Sequence, residues 1–168
     1  MKNRLRYREF DCVTSVRMID SFIFLLKAGE LDMNPPYQRE LVWETSHKIE
    51  FIEYLITGLP IGYFAVATID TDDEYIVELV DGKQRLNAIL SFMDDEFGIH
   101  INGELVYFSE MNISEQRKFR NIPLPVCELL NANELKVRVR YFYTVNFGGV
   151  PQSEEHRLKV LNMLCELN

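Results

Sequence analysis

Between Lys83 and Met93 apolar residues recur at Leu86, Ile89, Leu90 and Met93, the i, i+3, i+4, i+7 spacing of a helix with one buried face. Two compact apolar runs precede it. Tyr63 to Ile69 and Tyr75 to Val80 predict strands, and Thr71-Asp72-Asp73 between them predicts a hairpin. Ile99-His100-Ile101 and Leu105-Val106-Tyr107 flank Asn102-Gly103, the strongest two-residue hairpin signal in the chain. Toward the N-terminus, Met18, Phe22 and Leu25, with Ile19, Ile23 and Leu26 beside them, predict a well-buried helix capped by Thr14, running to about Lys27 and ended by Gly29. Pro35-Pro36 predicts an extended segment. Thr45 or Ser46 is the expected cap of a helix burying Ile49, Ile52, Leu55 and Ile56, stopped by Gly58 and Pro60.

The C-terminal half reads less evenly. Ser114 to about Phe119 is expected as a short Ser-capped helix, and Leu124 to Leu129 as an extended run bracketed by Pro123 and Pro125. Leu135 to Asn146 fits two periods. Val137, Val139, Tyr141 and Tyr143 alternate like a strand, whereas Leu135, Val139 and Phe142 fit a helical face that Asn133 could cap. Gly148-Gly149 and Pro151 break the chain before a last helix capped by Ser153 and carrying Leu158, Leu161 and Leu164.

At 168 residues the expectation is one domain, with a composition (47% hydrophobic, 26% charged) that argues against disorder. No apolar run reaches transmembrane length, and the basic N-terminus lacks the apolar stretch of a signal peptide. Cys12, Cys127 and Cys165 are scattered and odd in number, which predicts reduced thiols in a cytoplasmic protein. With His47, His100 and His156 they never reach metal-ligand spacing. The formal net charge of −8 disfavours broad non-specific nucleic-acid binding, although Arg4, Arg6 and Arg8 leave room for a local basic patch.

Candidate chemistry concentrates in three clusters. In Asp81-Gly82-Lys83-Gln84-Arg85 an acid, a glycine, an amide and two cations fall at a strand-to-helix turn. The first turn of a helix offers unpaired N–H groups and partial positive charge, a glycine admits close approach, and Lys83 and Arg85 complete an anion site. Asp81 fits if it holds Mg²⁺, orients a water or pins Arg85. The plainer alternative is an Asp N-cap, a permissive glycine and exposed cations. The second cluster, Asn34-Pro35-Pro36-Tyr37-Gln38-Arg39, repeats the Gln-Arg pair, and Trp43 beyond it is read as packing in preference to base stacking. The third, Val145-Asn146-Phe147-Gly148-Gly149-Val150-Pro151, suits a tight turn, and the following His156 reads as a surface helix residue before an acid/base group.

Taken in order, these clusters and Gly58-Leu59-Pro60-Ile61 resemble the N-terminal domain of GmrSD-type, modification-dependent restriction systems, a branch of the ParB/sulfiredoxin-like superfamily, from about residue 14 to residue 165. The resemblance implies an α+β fold, a small mixed sheet with flanking helices, and helix rather than strand for residues 134–145. It implies that the family's Asp-Gly-Gln-Gln-Arg motif maps onto Asp81, Gly82, Lys83, Gln84 and Arg85, with Lys83 where many relatives have Gln. Asp81, Gln84, Arg85, Arg39 and Gln38 are then the expected catalytic residues. Gly82, Lys83, Tyr37, Asn146, Gly148 and Gly149 are the expected nucleotide-binding residues, with Asp81 as the Mg²⁺ ligand. The family's restriction enzymes carry a separate His-Asn-His-type nuclease domain. None is expected within residues 1–168, so nuclease activity is not carried over, and a small stand-alone member suggests phage or mobile-element origin.

The resulting expectation is a cytoplasmic nucleotide-binding and NTP-hydrolysing domain that takes a nucleoside triphosphate with Mg²⁺. The alternative is a non-catalytic module, associated with DNA or with a nuclease or other defence protein in trans, that regulates or inhibits a restriction system.

Overall fold

A computed structural model describes residues 9–70, 75–147 and 154–167. Among the described residues seven strands and six α-helices follow in the order β1 (Cys12–Met18), α1 (Ile19–Ala28), β2 (Leu31–Asp32), α2 (Thr45–Ile56), β3 (Phe64–Asp70), β4 (Tyr75–Asp81), α3 (Lys83–Met93), β5 (Ile99–Ile101), β6 (Glu104–Val106), α4 (Ile113–Arg120), β7 (Pro123–Leu129), α5 (Leu135–Phe147) and α6 (Glu154–Glu166). Five strands form a mixed sheet in the order β1-β7-β3-β4-β2, and β5-β6 is a separate hairpin. Within the sheet β1/β7 and β3/β4 are antiparallel, and β7/β3 and β4/β2 are parallel. The α+β class with a mixed sheet is therefore as expected.

Side chains alternate across the sheet with the period of the pleat. Phe64, Val66, Val77, Leu79, Leu124 and Val126 join one core with α1, α2 and α3. Ala65, Ala67, Val80 and Leu129 join a second core with Tyr37, Val139, Phe142, Phe147 and Val160 on the opposite face. The first core includes an aromatic knot in which Phe92 meets Phe97, Phe108 and Phe119 at ring separations of 5.9, 5.7 and 5.2 Å. Burying each such ring contributes roughly 1.5–3 kcal/mol.

Several elements depart from the expected boundaries. Thr14 caps no helix; it lies inside β1, which pairs with β7 from Cys12↔Leu129 to Met18↔Pro123. The β-branched Val13, Thr14 and Val16 suit that strand, and α1 starts only at Ile19. Gly29 does end α1, in the left-handed region at φ 73°. The extended approach at the prolines stops at Pro35, because Pro36-Tyr37 form the centre of a turn closed by Gln38 N–H to Pro35 C=O at 3.0 Å. Thr45 and Ser46 lie inside α2, whose N-cap is Glu44 in extended conformation without a side-chain cap bond, and Ile56 at its end is exposed. The cap of α4 is Asn112, not Ser114: Asn112 Oδ1 accepts from Glu115 N–H (3.0 Å) and Glu115 Oε2 accepts from Asn112 N–H (2.9 Å). The two readings of residues 135–146 resolve as helix, with Arg138, Val139 and Phe142 buried on one side.

In α6 the buried positions are His156 and Val160, whereas Leu158 is exposed, so His156 is not a surface residue. Asn102 and Gly103 both take positive φ (53° and 87°), as a two-residue hairpin turn requires. Cys12, Cys127 and Cys165 are free thiols. Arg4, Arg6, Arg8, Thr71-Asp72-Asp73, Gly148, Gly149, Val150, Pro151 and Ser153, for which the sequence carries expectations, lie outside the described residues.

Candidate functional site

Where β4 runs into α3 the backbone turns through Gly82 at φ 108°, a left-handed conformation that side chains rarely adopt. A methyl group there would also sit 2.5 Å from the Phe64 ring. Gly82 is thus demanded by the fold itself. It occupies the N-cap position with no side-chain cap bond, so Asp81 is not a cap. Instead Asp81 Oδ2 accepts from Arg85 Nη2 at 2.9 Å, the pinning role that was one of its three expected options.

An open cleft of about 260 Å³ lies against this turn, lined by Gln38, Arg39, Trp43, Asp81, Gly82, Lys83, Gln84, Arg85, Phe142 and Asn146. The two Gln-Arg pairs, more than forty residues apart in sequence, therefore border one cleft. Its walls come from the 38–43 loop, the start of α3 and one face of α5. Among the lining residues three cations face one carboxylate, a net of two positive charges in a chain of net charge −8. The first turn of α3 adds its unpaired N–H groups.

The side chains in this cleft divide by what they already hold. Gln84 is spent at both ends of its amide: Oε1 accepts from Val42 N–H (3.1 Å) and Trp43 N–H (3.2 Å), and Nε2 donates to Glu40 C=O (2.9 Å). Gln38 is buried and donates through Nε2 to the carbonyls of Leu79 and Val80 at the end of β4. Arg85 donates to Ile61 C=O (2.8 Å), Tyr63 C=O (2.9 Å) and Asp81, and lies 4.7 Å over the Phe64 ring. Burial pushes its guanidinium pKa down, and the adjacent Asp81 carboxylate works against that. These three side chains fasten loops 40–43 and 61–63 and the Gln38 turn to the sheet and to α3.

Arg39 and Lys83 are different. Both are half-buried in the cleft wall, and no hydrogen bond or ion pair joins either side chain to another described residue. Asn146 donates through Nδ2 to Phe142 C=O at 3.0 Å and so keeps its amide at the cleft edge. His156 packs against the rings of Phe142 and Phe147. Its burial, then the positive charges of Arg39 and Lys159, hold its pKa below the usual histidine value.

Tyr37, expected at the ligand, is turned into the second core. It is fully buried, its ring stands 5.2 Å from Phe142, and its hydroxyl donates to Glu78. The partner of that bond, Glu78, is not among the residues the sequence motifs single out. Glu78 accepts from Arg138 Nε at 2.9 Å, and both side chains are nearly inaccessible. The visible signal was Glu78 itself, one acid inside the apolar run of β4. Nothing in Lys136-Val137-Arg138-Val139-Arg140 distinguished the arginine that would be buried.

What fold and site define together is an α+β protein with a cationic cleft at the N-terminus of a buried helix. The chain belongs to the GmrSD restriction endonuclease N-terminal domain family, whose profile matches residues 23–162. No curated protein matches it. A solved structure described as a Pnob8-like ParB-N domain is similar at 12% identity and a TM-score of 0.48; the match covers 95% of this chain and 47% of that one. Among the described residues no helix is long and apolar enough to cross a membrane.

Proposed function

We propose that the cleft binds the phosphate chain of a nucleoside triphosphate, and that the protein is the nucleotide-binding and hydrolysing part of a restriction system. The observation that carries this is the pair Arg39 and Lys83, flanking the open first turn of α3 with no side-chain partner among the described residues. An arginine grips phosphate oxygens through two parallel N–H bonds, and a lysine adds a point charge. The helix N–H groups supply further donors at no conformational cost. Trp43 and Phe142 offer apolar walls beside these donors. Membership of a restriction-endonuclease family supplies the setting.

The remaining motif residues act on the shape of the cleft. Gln84 and Arg85 hold the loops that form its rim, and Gln38 fixes the backbone on which Arg39 stands. Asp81 is the one lining carboxylate, with one oxygen on Arg85, and among the described residues no group of three or more acids, histidines or cysteines could hold a metal. That donor set fits Mg²⁺ carried in on phosphate oxygens, with Asp81 as its protein ligand, better than a resident ion. Bound in that way, the ion supplies charge neutralisation on the transferring phosphate. The alternative role for Asp81 is to orient a water, since both ends of the Gln84 amide are engaged. Positioning and charge stabilisation account for most of the catalysis in phosphoryl transfer.

Thermal shift with ATP, GTP, CTP and UTP, each with and without Mg²⁺, tests binding. A nucleotide that raises the melting temperature, with affinity falling at least tenfold in Arg39→Ala and in Lys83→Ala, supports the reading. A flat panel overturns it. Phosphate release that is lost in Asp81→Asn, with nucleotide still bound, supports hydrolysis. DNA binding without nucleotide, or co-purification of a partner with neither, would favour the non-catalytic module.

A further inference from the structure

Three separate segments build the cleft, and all three meet at one buried carboxylate. Tyr37 stands two residues before Arg39, and Glu78 stands three residues before Asp81. Arg138, Phe142 and Asn146 follow one another at intervals of four, so they share one face of α5. Glu78 accepts from the Tyr37 hydroxyl and from Arg138 Nε on the same oxygen, Oε1. Arg138 Nη1 also donates to the carbonyls of Ala132 and Asn133 (2.7 Å to the latter), which ties down the entry to α5. The relative exposures are 0% for Tyr37, 4% for Glu78 and 6% for Arg138.

A buried ion pair contributes little net stability, because the desolvation of two charges offsets their attraction. Its value here is geometric, since each donor has a single direction in which Glu78 can accept it. We infer that Glu78 is a positioning residue for the cleft: by holding Tyr37 and Arg138 together, it fixes the gap between the Arg39 loop and the α5 face that carries Phe142 and Asn146. The inference rests on the cleft being the ligand site argued above. Tyr37 and Arg138 are its two arms, and none of the three touches the ligand.

Tyr37→Phe is the test variant. It keeps the ring on Phe142 and leaves Glu78 paired with Arg138, so it removes one arm without creating a buried unpaired charge. Native-state hydrogen exchange on the whole chain should show amides of residues 37–43 and 139–147 exchanging about tenfold faster together, with α1 (19–28) unchanged. No change, a change in only one segment, or uniform acceleration overturns the inference. A double-mutant cycle with Mg²⁺·ATP gives the second readout. Tyr37→Phe should weaken binding about tenfold, and the double variant with Arg39→Ala should bind no worse than Arg39→Ala alone. Losses that simply add would mean that Tyr37 does not act through Arg39, and would overturn it. If the unmodified protein binds no nucleotide, the reading of the cleft falls, while the exchange pattern still decides whether Glu78 joins the two walls.

Discussion

The two faces of the central sheet are built on different principles. The face under α1, α2 and α3 is packed with aliphatic and aromatic side chains, with the Phe92 knot at one end. The face under α5 and α6 holds Tyr37, Glu78, Arg138, Gln38 and His156, five of the side chains with polar or charged groups that are buried in this protein, and the cleft opens on its edge. Dry packing is insensitive to direction and resists deformation. Hydrogen-bonded groups in a low-dielectric interior have defined directions and large costs when left unmade. One face therefore secures the fold, and the other sets the relative placement of the loops that border the cleft.

Substitutions can break this contrast. Phe92→Ala should be the most damaging, at about 3–5 kcal/mol, because its ring is wholly enclosed and the cavity cannot collapse. Urea denaturation measures it. Phe142→Ala, on the edge of an open cleft, should fall at the low end of that range or below, and equal losses would erase the distinction between the faces. Next comes Arg138→Ala, at about 3 kcal/mol, because it strands a buried carboxylate. Replacing Glu78 with Leu and Arg138 with Met together should cost much less in stability while still loosening the cleft. Gly82→Ala should cost about 2 kcal/mol, since it combines strain at φ 108° with a clash against Phe64.

The smallest effect is electrostatic and sits on the polar face. His156 has a folded-state pKa below its ordinary value of 6.5, chiefly through burial and then through Arg39 and Lys159. As pH falls below about 6.5 the unfolded chain takes up the proton first, so stability drops until the folded-state value is passed. In Arg39→Ala the His156 pKa should rise and that drop should shrink. NMR titration of the imidazole against a melting curve at pH 7 and pH 5 measures both, and an unmoved titration would show that Arg39 exerts no field on it.

Much of the fold was readable from spacing. Lys83–Met93 began and ended as its periodicity required, and Asn102-Gly103 turned as its residue types dictate, because both signals are local. Thr14 misled for the opposite reason. Its helical stripe shares Met18 with a β-branched strand, and only pairing with β7, more than a hundred residues away, decides between them. In the candidate site the spacing of the two Gln-Arg pairs pointed to one cleft, yet it did not separate side chains left open on that cleft from side chains that hold loops. Gln38, Gln84 and Arg85 have the same donors as a ligand-binding group. Their occupation by the carbonyls of Leu79, Glu40 and Ile61 is a property of the folded backbone. The Glu78–Arg138 contact is harder still, since sixty residues separate a lone strand acid from one of several arginines.

The cationic cleft in an acidic chain has a kinetic corollary. An anion arriving from solution first meets the field of a body carrying −8, and meets the two excess positive charges only within the last Debye length, roughly 8 Å at physiological ionic strength. Adding salt relaxes the outer repulsion and the inner attraction alike. Arrival and departure should therefore both quicken as ionic strength rises, whereas in a uniformly basic receptor the on-rate slows.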